Sequence, residues 1–210
     1  MFYKICCSIL WFVTRIAFRF KVVGKENIPT DIGFILCSNH ISAYDPIFIA
    51  IDLKKQVHYM AKEELFENPF FRFFGNGVGA FSVKRGAGDA NALQTAIDYV
   101  KKGEVLGIFP EGTRSKDGKP LRPKSGAAYV AKETGAAVLP VTVCCEGGKV
   151  KMFRKVTVVS VSYTHLAGFF FNEQFDDRLA ISVELAVLGE KGAFLSCDEP
   201  GEGKGGGAFT

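Results

Sequence analysis

The stretch GFILCSNHISAYDP, residues 33–46, joins an unbroken apolar run to a group of polar side chains. The run at 33–39 is typical of a parallel strand that is buried on both faces of a sheet. His40 follows it directly, and Asp45 comes five residues later, just before Pro46. In α/β folds, reactive groups lie at the C-terminal ends of the strands. We therefore expect a buried strand that ends in functional side chains at one edge of a sheet.

The alternation of apolar runs and amphipathic segments continues along the chain. It predicts further strands at 20–24, 57–62, 104–110, 136–143 and 155–162, and helices at 89–103 and 124–135. Asp89 suits the start of the first of these helices, and Gly103 and Gly135 suit the two helix ends. The pattern indicates an α/β fold with a mainly parallel sheet flanked by helices, in one domain at 21–159.

The net charge of +4 over 210 residues is unevenly distributed. Residues 1–159 carry 23 basic and 14 acidic side chains, whereas residues 160–210 carry three basic and eight acidic ones. A basic body predicts an anionic partner. Because the basic residues are dispersed among apolar segments, we do not expect nucleic acid to be that partner. The six cysteines form no CxxC motif, so we expect reduced thiols and no metal site.

The N-terminal segment MFYKICCSILWFVTRIAFRFK has a strongly apolar character. Its continuous apolar run is too short to span a bilayer, and it lacks a signal-peptide cleavage site. Its large apolar residues recur at helical spacing, at Phe2, Ile5, Ile9, Phe12 and Ile16, and basic residues flank them. We favour a helix at 1–20 that lies on an anionic membrane surface. The alternative is a helix that packs on the protein's own core.

His40 and Asp45 support two interpretations. A general base gains from a carboxylate on its second ring nitrogen, which would make the two residues a catalytic pair. Positions i and i+5 of a helix lie about 140° apart, so residues 41–44 must form a turn if the pair is to meet. In the alternative interpretation, Asp45 is only an N-cap ahead of Pro46, and His40 is a core histidine.

Two further stretches carry groups that suit a phosphate. FPEGTRS at 109–115 places backbone N–H groups around a glycine beside Thr113 and Arg114. GAFSVKRG at 79–86 offers Lys84 and Arg85 between glycines. Either stretch alone is also compatible with a solvated turn.

Taken together, these blocks resemble the glycerolipid acyltransferases. NHISAYD matches the Asn-His-x4-Asp (HxxxxD) motif of that family, GAFSVKRG its second block, FPEGTRS its third, and VLPVTV at 138–143 its fourth. The resemblance covers about residues 1–159. Within the family, the chain looks most like the 1-acyl-sn-glycerol-3-phosphate acyltransferases, which are membrane-associated. It implies that His40 is the general base and that Asp45 orients it. It also implies a site for the acceptor's phosphate at Arg85, Glu111, Gly112, Thr113 and Arg114.

The resemblance further implies the reaction. An acyl thioester, either acyl-CoA or acyl carrier protein, would acylate the sn-2 hydroxyl of lysophosphatidate at the cytoplasmic face of the cell membrane. Because the chain has no GxSxG elbow and its cysteines lack a basic setting, we expect no covalent acyl-enzyme. The resemblance implies no cofactor. Two alternatives stay open: another acceptor, such as glycerol 3-phosphate or another lysophospholipid, and an inactive membrane-surface protein on the same scaffold.

The segment NPFFRFFGNGVGAF at 68–81 holds five phenylalanines. One interpretation is an aromatic helix packed in the core. The other is a wall for an acyl chain or a second contact with the membrane.

The resemblance ends near Val159. The family usually continues this strand into a turn that contains Gly-Pro and then a further helix, whereas SVSYTHLAGFFFNEQF follows here. The reversal of charge coincides with this break. We expect residues 160–210 to be an atypical tail that is not native to the family, produced by a frameshift, a chimeric read or a truncation.

Overall fold

The chain folds around a seven-stranded sheet. A computed structural model describes residues 2–84, 89–117, 121–145 and 150–160. Its strands are β1 (Arg19–Val23), β2 (Phe34–Ser38), β3 (Val57–Lys62), β4 (Ala80–Val83), β5 (Val105–Ile108), β6 (Val138–Cys145) and β7 (Lys155–Ser160). Its α-helices are α1 (Phe2–Ala17), α2 (Asp45–Ala50), α3 (Pro69–Gly77), α4 (Ala90–Lys101) and α5 (Gly126–Thr134).

The sheet is mainly parallel, as the sequence predicts. The strand order is β1-β7-β6-β2-β5-β3-β4, with β2 between β5 and β6. All pairings are parallel except the one between β6 and β7, which is antiparallel. The C-terminal ends of β2, β3, β4 and β5 therefore meet at one edge, and this is the edge at which His40 lies.

Helices cover both faces of the sheet. Successive residues of β2 point to opposite faces, so Phe34 and Leu36 pack in the same core as Phe48 of α2. Ile35 and Cys37 pack in a second core on the other face, together with residues of α4 and α5. Burial on both faces explains why this strand is apolar throughout.

The predicted start of α4 at Asp89 and the predicted end of α5 at Gly135 are confirmed. The Asp89 side chain accepts a hydrogen bond from the backbone N–H of Ala92 at 3.1 Å and therefore caps α4. Gly135 ends α5 with a φ of 64°, in the left-handed region that glycine tolerates.

Helix α1 presents an apolar row to solvent. Its exposed residues include Ile5, Ile9, Phe12 and Ile16, and Phe12 is 62% exposed. The helix ends at Ala17, so the expected boundary at residue 20 falls inside β1, where Phe20 is buried. None of the helices in the described ranges has the length and apolar character needed to cross a membrane.

The aromatic segment at 68–81 is only partly in the core. Asn68 caps α3 by accepting hydrogen bonds from the N–H groups of Phe70 and Phe71. Phe70 is 77% exposed and Phe73 is 72% exposed, so the core interpretation is wrong for these two residues. The ring of Phe2 packs edge-on against Phe73 and Phe74 and thereby links α3 to α1.

Two of the predictions fall outside the described residues. Arg85, in the second block, belongs to the undescribed range 85–88, and nearly all of the predicted tail lies in 161–210.

Candidate active site

Strand β2 and the residue that follows it fix the position of His40. Asn39 is buried, and its side chain bonds to Val143 of β6 in both directions. The Nδ2 group donates to the carbonyl of Val143 at 3.1 Å, and Oδ1 accepts from its N–H at 2.8 Å. Asn39 thus replaces one step of the strand pairing with a side chain and anchors the start of the His40 loop to the sheet.

The side chains of His40 and Asp45 meet. His40 Nδ1 lies 2.8 Å from Asp45 Oδ2, and the same oxygen accepts from the N–H groups of Ile41 and Ser42, each at 2.7 Å. Residues 41–44 form the turn that the catalytic interpretation requires, because the N–H of Asp45 reaches back to the carbonyl of Ser42. With Nδ1 donating to the carboxylate, Nε2 is the nitrogen that can accept a proton.

Asp45 is not a helix cap. It is the first residue of α2, and Tyr44 occupies the N-cap position. Its fully buried carboxylate points backwards to the loop and to His40 instead of to the N–H groups of its own helix. His40 is also not a core histidine, since its side chain is 17% exposed and lines a cavity. The geometry therefore favours the catalytic interpretation of this pair.

An aromatic stack supports the imidazole from the other side. The ring of Phe109 lies on His40 with centroids 4.1 Å apart, and Tyr59 lies on Phe109 at 5.9 Å. The Tyr59 hydroxyl donates to the carbonyl of Pro46, and burial raises the pKa of this phenol well above its usual value. A Cβ at Gly107 would come within 2.2 Å of the Tyr59 ring, so this strand position needs a glycine.

The third sequence block adjoins the first. The N–H of Ser115 donates to the carbonyl of His40 at 2.8 Å, which ties the two loops together. Glu111 is buried, and Gly112 has a φ of 67°. Thr113 and Arg114 are exposed to solvent. The structure thus brings the whole block to the His40 edge of the sheet, with a buried part and an exposed part.

A cavity of about 600 Å³ opens beside His40. Its lining includes Met60, Lys84, Leu93, Phe109 and Gly112. Of the five residues predicted for the phosphate site, Gly112 lines this cavity, whereas Glu111, Thr113 and Arg114 do not, and Arg85 lies outside the described residues. The mixture of apolar and basic groups suits a ligand with an apolar part and an anionic part.

The backbone at the second block is tied to α4. Asp89 accepts a hydrogen bond from the N–H of Lys84 at 2.9 Å in addition to capping α4. The N–H groups of Lys84 and then Ala92 lower the pKa of this carboxyl. The contact holds Lys84 at the rim of the cavity.

The described residues contain no group of three or more His, Cys, Asp or Glu side chains that could hold a metal ion. The arrangement that they do contain is the imidazole of His40 with the carboxylate of Asp45 on one ring nitrogen. Such a pair can take a proton from a hydroxyl group.

Sequence reasoning missed three residues that shape this site. Asn39 was noted only as part of the motif, and no role was predicted for Phe109 or Tyr59. A buried asparagine at a strand end is a detectable signal, because its amide needs partners. The stack on His40 depends on the order of β2, β5 and β3 in the sheet, which the local sequence does not encode.

Comparisons with known proteins find related acyltransferases. The model of the family described as Acyltransferase matches residues 19–144. A 1-acyl-sn-glycerol-3-phosphate acyltransferase of Bacillus subtilis is 35% identical over 154 residues, which cover 73% of this chain and 76% of that protein. The chloroplastic 1-acyl-sn-glycerol-3-phosphate acyltransferase LPAT1 of Arabidopsis thaliana is 34% identical over 133 residues, covering 62% of this chain and 37% of the plant protein.

A solved structure shows the same fold. The crystal structure of the 1-acyl-sn-glycerophosphate (LPA) acyltransferase PlsC from Thermotoga maritima superposes with a TM-score of 0.67 and 28% sequence identity. The match covers 96% of this chain and 79% of that chain. The resemblance drawn from the four sequence blocks is thereby confirmed, and this chain belongs to the acyltransferase family that includes the 1-acyl-sn-glycerol-3-phosphate acyltransferases.

Proposed function

We propose that this chain is an O-acyltransferase that moves a fatty acyl group from a thioester to the sn-2 hydroxyl of 1-acylglycerol 3-phosphate and makes phosphatidate. The observation that carries the proposal is the contact between His40 Nδ1 and Asp45 Oδ2, with His40 lining a cavity. The names of the relatives from Bacillus subtilis and Arabidopsis thaliana support the choice of acceptor.

In the proposed mechanism, His40 is the general base. Its Nε2 takes the proton of the acceptor hydroxyl while the hydroxyl oxygen attacks the thioester carbonyl carbon. Asp45 holds the ring through Nδ1 and stabilises the imidazolium that forms. The tetrahedral intermediate then collapses, the carbon–sulfur bond breaks, and the imidazolium returns its proton to the leaving thiolate. Acyl-CoA or acyl carrier protein would be the donor, and these steps require no cofactor.

The second and third sequence blocks would bind the phosphate of the acceptor. Arg85, Glu111, Gly112, Thr113 and Arg114 are the residues proposed for this role. The hydrogen bond from the N–H of Ser115 to the carbonyl of His40 supports the proposal, because it places the third block within reach of the base.

Attachment to an anionic membrane surface, as a peripheral protein on the cytoplasmic side, is part of the proposal. The exposed apolar row of α1 adjoins the exposed phenylalanines of α3, and Lys4 and Arg72 lie exposed on the same two helices. Arg15 is less available, since it pairs with Asp52 at 3.3 Å and stacks on Trp11. An apolar face with basic residues beside it is typical of helices that lie in the membrane interface.

We retain the division of the chain into an interfacial helix at 1–20, an acyltransferase domain at 21–159 and an atypical tail at 160–210 as a proposal. Sequencing the gene from its source DNA tests the last part. A reading frame that runs uninterrupted through residue 210 would contradict a frameshift or a chimeric read.

The acceptor is tested with the purified protein, labelled acyl-CoA and a panel of acceptors. We expect labelled phosphatidate from lysophosphatidate, and much less product from glycerol 3-phosphate, lysophosphatidylcholine or monoacylglycerol. Equal use of monoacylglycerol would contradict the proposal, because it lacks the phosphate that the site is proposed to bind.

A further inference from the structure

The cavity beside His40 is lined by three lysines that come from different parts of the fold. Lys62 ends β3, Lys84 follows β4, and Lys124 precedes α5. All three lie at the edge of the sheet where the parallel strands end. Asp89 is the one carboxylate among the described lining residues, so the lysines leave the lining with a positive charge that the predicted phosphate residues alone do not account for.

The three lysines differ in their carboxylate partners. Lys62 Nζ lies 2.5 Å from Glu64 Oε1, and Lys84 Nζ lies 3.9 Å from Glu63 Oε1. The ion pairs between described residues do not include Lys124. Within the described part of the chain, Lys124 is thus the cavity lysine whose ammonium group forms no ion pair with a carboxylate, so it is available to a ligand.

Lys124 lies outside the third sequence block in the sequence but contacts it in the fold. Its N–H donates to the carbonyl of Pro110 at 2.9 Å. A Cβ at Gly112 would lie 3.1 Å from both Cε and Nζ of Lys124, so the lysine side chain lies over the backbone of this glycine. Glycine at 112 both allows the φ of 67° and leaves room for the lysine.

We propose that Lys124 binds the phosphate of the acceptor in the His40 cavity. The inference rests on the proposed function and adds a residue that the four sequence blocks do not contain. An ammonium group is a compact donor of three hydrogen bonds and suits a phosphate. Its position favours the acceptor over the donor, since Lys124 is bonded to Pro110 of the third block, which is the block proposed to bind the acceptor's phosphate. Arg114, by contrast, does not line this cavity.

The kinetic test compares two substitutions of Lys124. Lys124→Gln removes the charge, and a lost charge-assisted hydrogen bond should raise the KM for lysophosphatidate roughly tenfold or more. The KM for acyl-CoA should stay within about twofold. Lys124→Arg keeps the charge and should recover most of the loss. The matched control is Arg122→Gln, which removes an exposed charge two residues away that does not line the cavity and should leave both constants unchanged.

A binding measurement separates this inference from the proposed function. Calorimetry with a soluble short-chain lysophosphatidate requires no turnover. Weaker binding to Lys124→Gln than to the parent would support Lys124 as a phosphate ligand even if the parent fails to make phosphatidate, in which case the proposed function alone would be wrong. Equal binding by the two proteins, or a rise in the KM for acyl-CoA instead of the KM for lysophosphatidate, would overturn the inference.

Discussion

At the scale of single residues, one oxygen of Asp45 organises the site. Oδ2 receives the imidazole of His40 and two backbone N–H groups, whereas Oδ1 is buried and has no hydrogen-bond partner among the described residues. Three donors on one oxygen fix both the loop and the plane of the His40 ring. The loop geometry and the orientation of the His40 imidazole therefore depend on a single carboxylate.

Asp45→Asn separates the geometric role of this side chain from its charge. The amide oxygen can accept the same two backbone N–H groups, so we expect a melting temperature close to that of the parent. A neutral amide stabilises an imidazolium poorly, so turnover should fall on the order of 10²-fold or more. Thermal melting and steady-state kinetics of the same preparation check this. Activity near that of the parent would show that the negative charge of Asp45 does not contribute to turnover.

Residue contacts could be predicted from the sequence only where the partners are close along the chain. The five-residue spacing of His40 and Asp45 left both a catalytic pair and a helix cap open, and the resemblance to the acyltransferases implied the pair. The bond between Asn39 and Val143 joins residues 104 positions apart, and Lys124 reaches the cavity from beyond α4 and β5. Such contacts are set by the order of the strands, so no local pattern reveals them.

At the scale of elements, the strands and helices follow the hydrophobic pattern closely. Each predicted strand is present. Continuous apolar runs such as β2 and β5 are buried along their whole length, as expected of strands covered on both faces. The antiparallel direction of β7 was not predicted, since direction depends on the path of the preceding loop and not on the composition of the strand. The exposure of Phe70 and Phe73 was also left open, because an aromatic run alone does not distinguish core from surface.

The apolar surface of α1 should hold the protein on anionic vesicles. Deleting residues 1–20 would also remove Phe18 and Phe20 from the core, so substitutions test this surface better. Phe12→Ser together with Ile16→Ser changes only exposed side chains and should weaken vesicle binding by about tenfold or more without lowering the melting temperature.

Tyr129→Ser is the matched control, since it removes an exposed aromatic residue from α5. Cosedimentation with vesicles that contain anionic lipid measures the effect. Unchanged sedimentation of the double variant would mean that the attachment lies elsewhere, with Phe70 and Phe73 of α3 as the next surface to test.

At the scale of the whole molecule, a second histidine couples stability to pH. His58 is buried at the start of β3 and stacks on Tyr99 of α4 with centroids 3.8 Å apart. Burial lowers the pKa of His58 below its ordinary value of 6.5, and Glu104, whose Oε2 lies 3.8 Å from Nε2, opposes this shift only in part. The unfolded chain therefore takes up this proton at a higher pH than the folded chain does.

The sign of the pH effect follows from this difference. The stabilisation from neutral His58 is fully present above about pH 6.5 and is lost as the pH falls through the lower pKa of the folded state. We expect the melting temperature to decrease as the solution is acidified through this window. The decrease should be smaller in His58→Gln, which has no proton to take up. If the melting temperatures of the parent and of His58→Gln fell equally with pH, the account would be contradicted.

For residues 1–159, the fold class and the family could be predicted from the sequence, because the strand pattern and the sequence blocks agree there. The position of the cavity could not be predicted, because the cavity is formed where β3, β4 and β5 end beside the loop after β2. The resemblance to a family did not extend to the tail, and residues 161–210 lie outside the part of the chain that the structure describes.

The most direct test of the account is the rate at which the purified protein makes phosphatidate from lysophosphatidate and labelled acyl-CoA, compared between the parent and His40→Ala. We predict product from the parent and a rate lower by about 10²- to 10⁴-fold in the variant, with lysophosphatidate bound equally well by both. A variant whose rate stays within about threefold of the parent would contradict the central claim that His40 is the base.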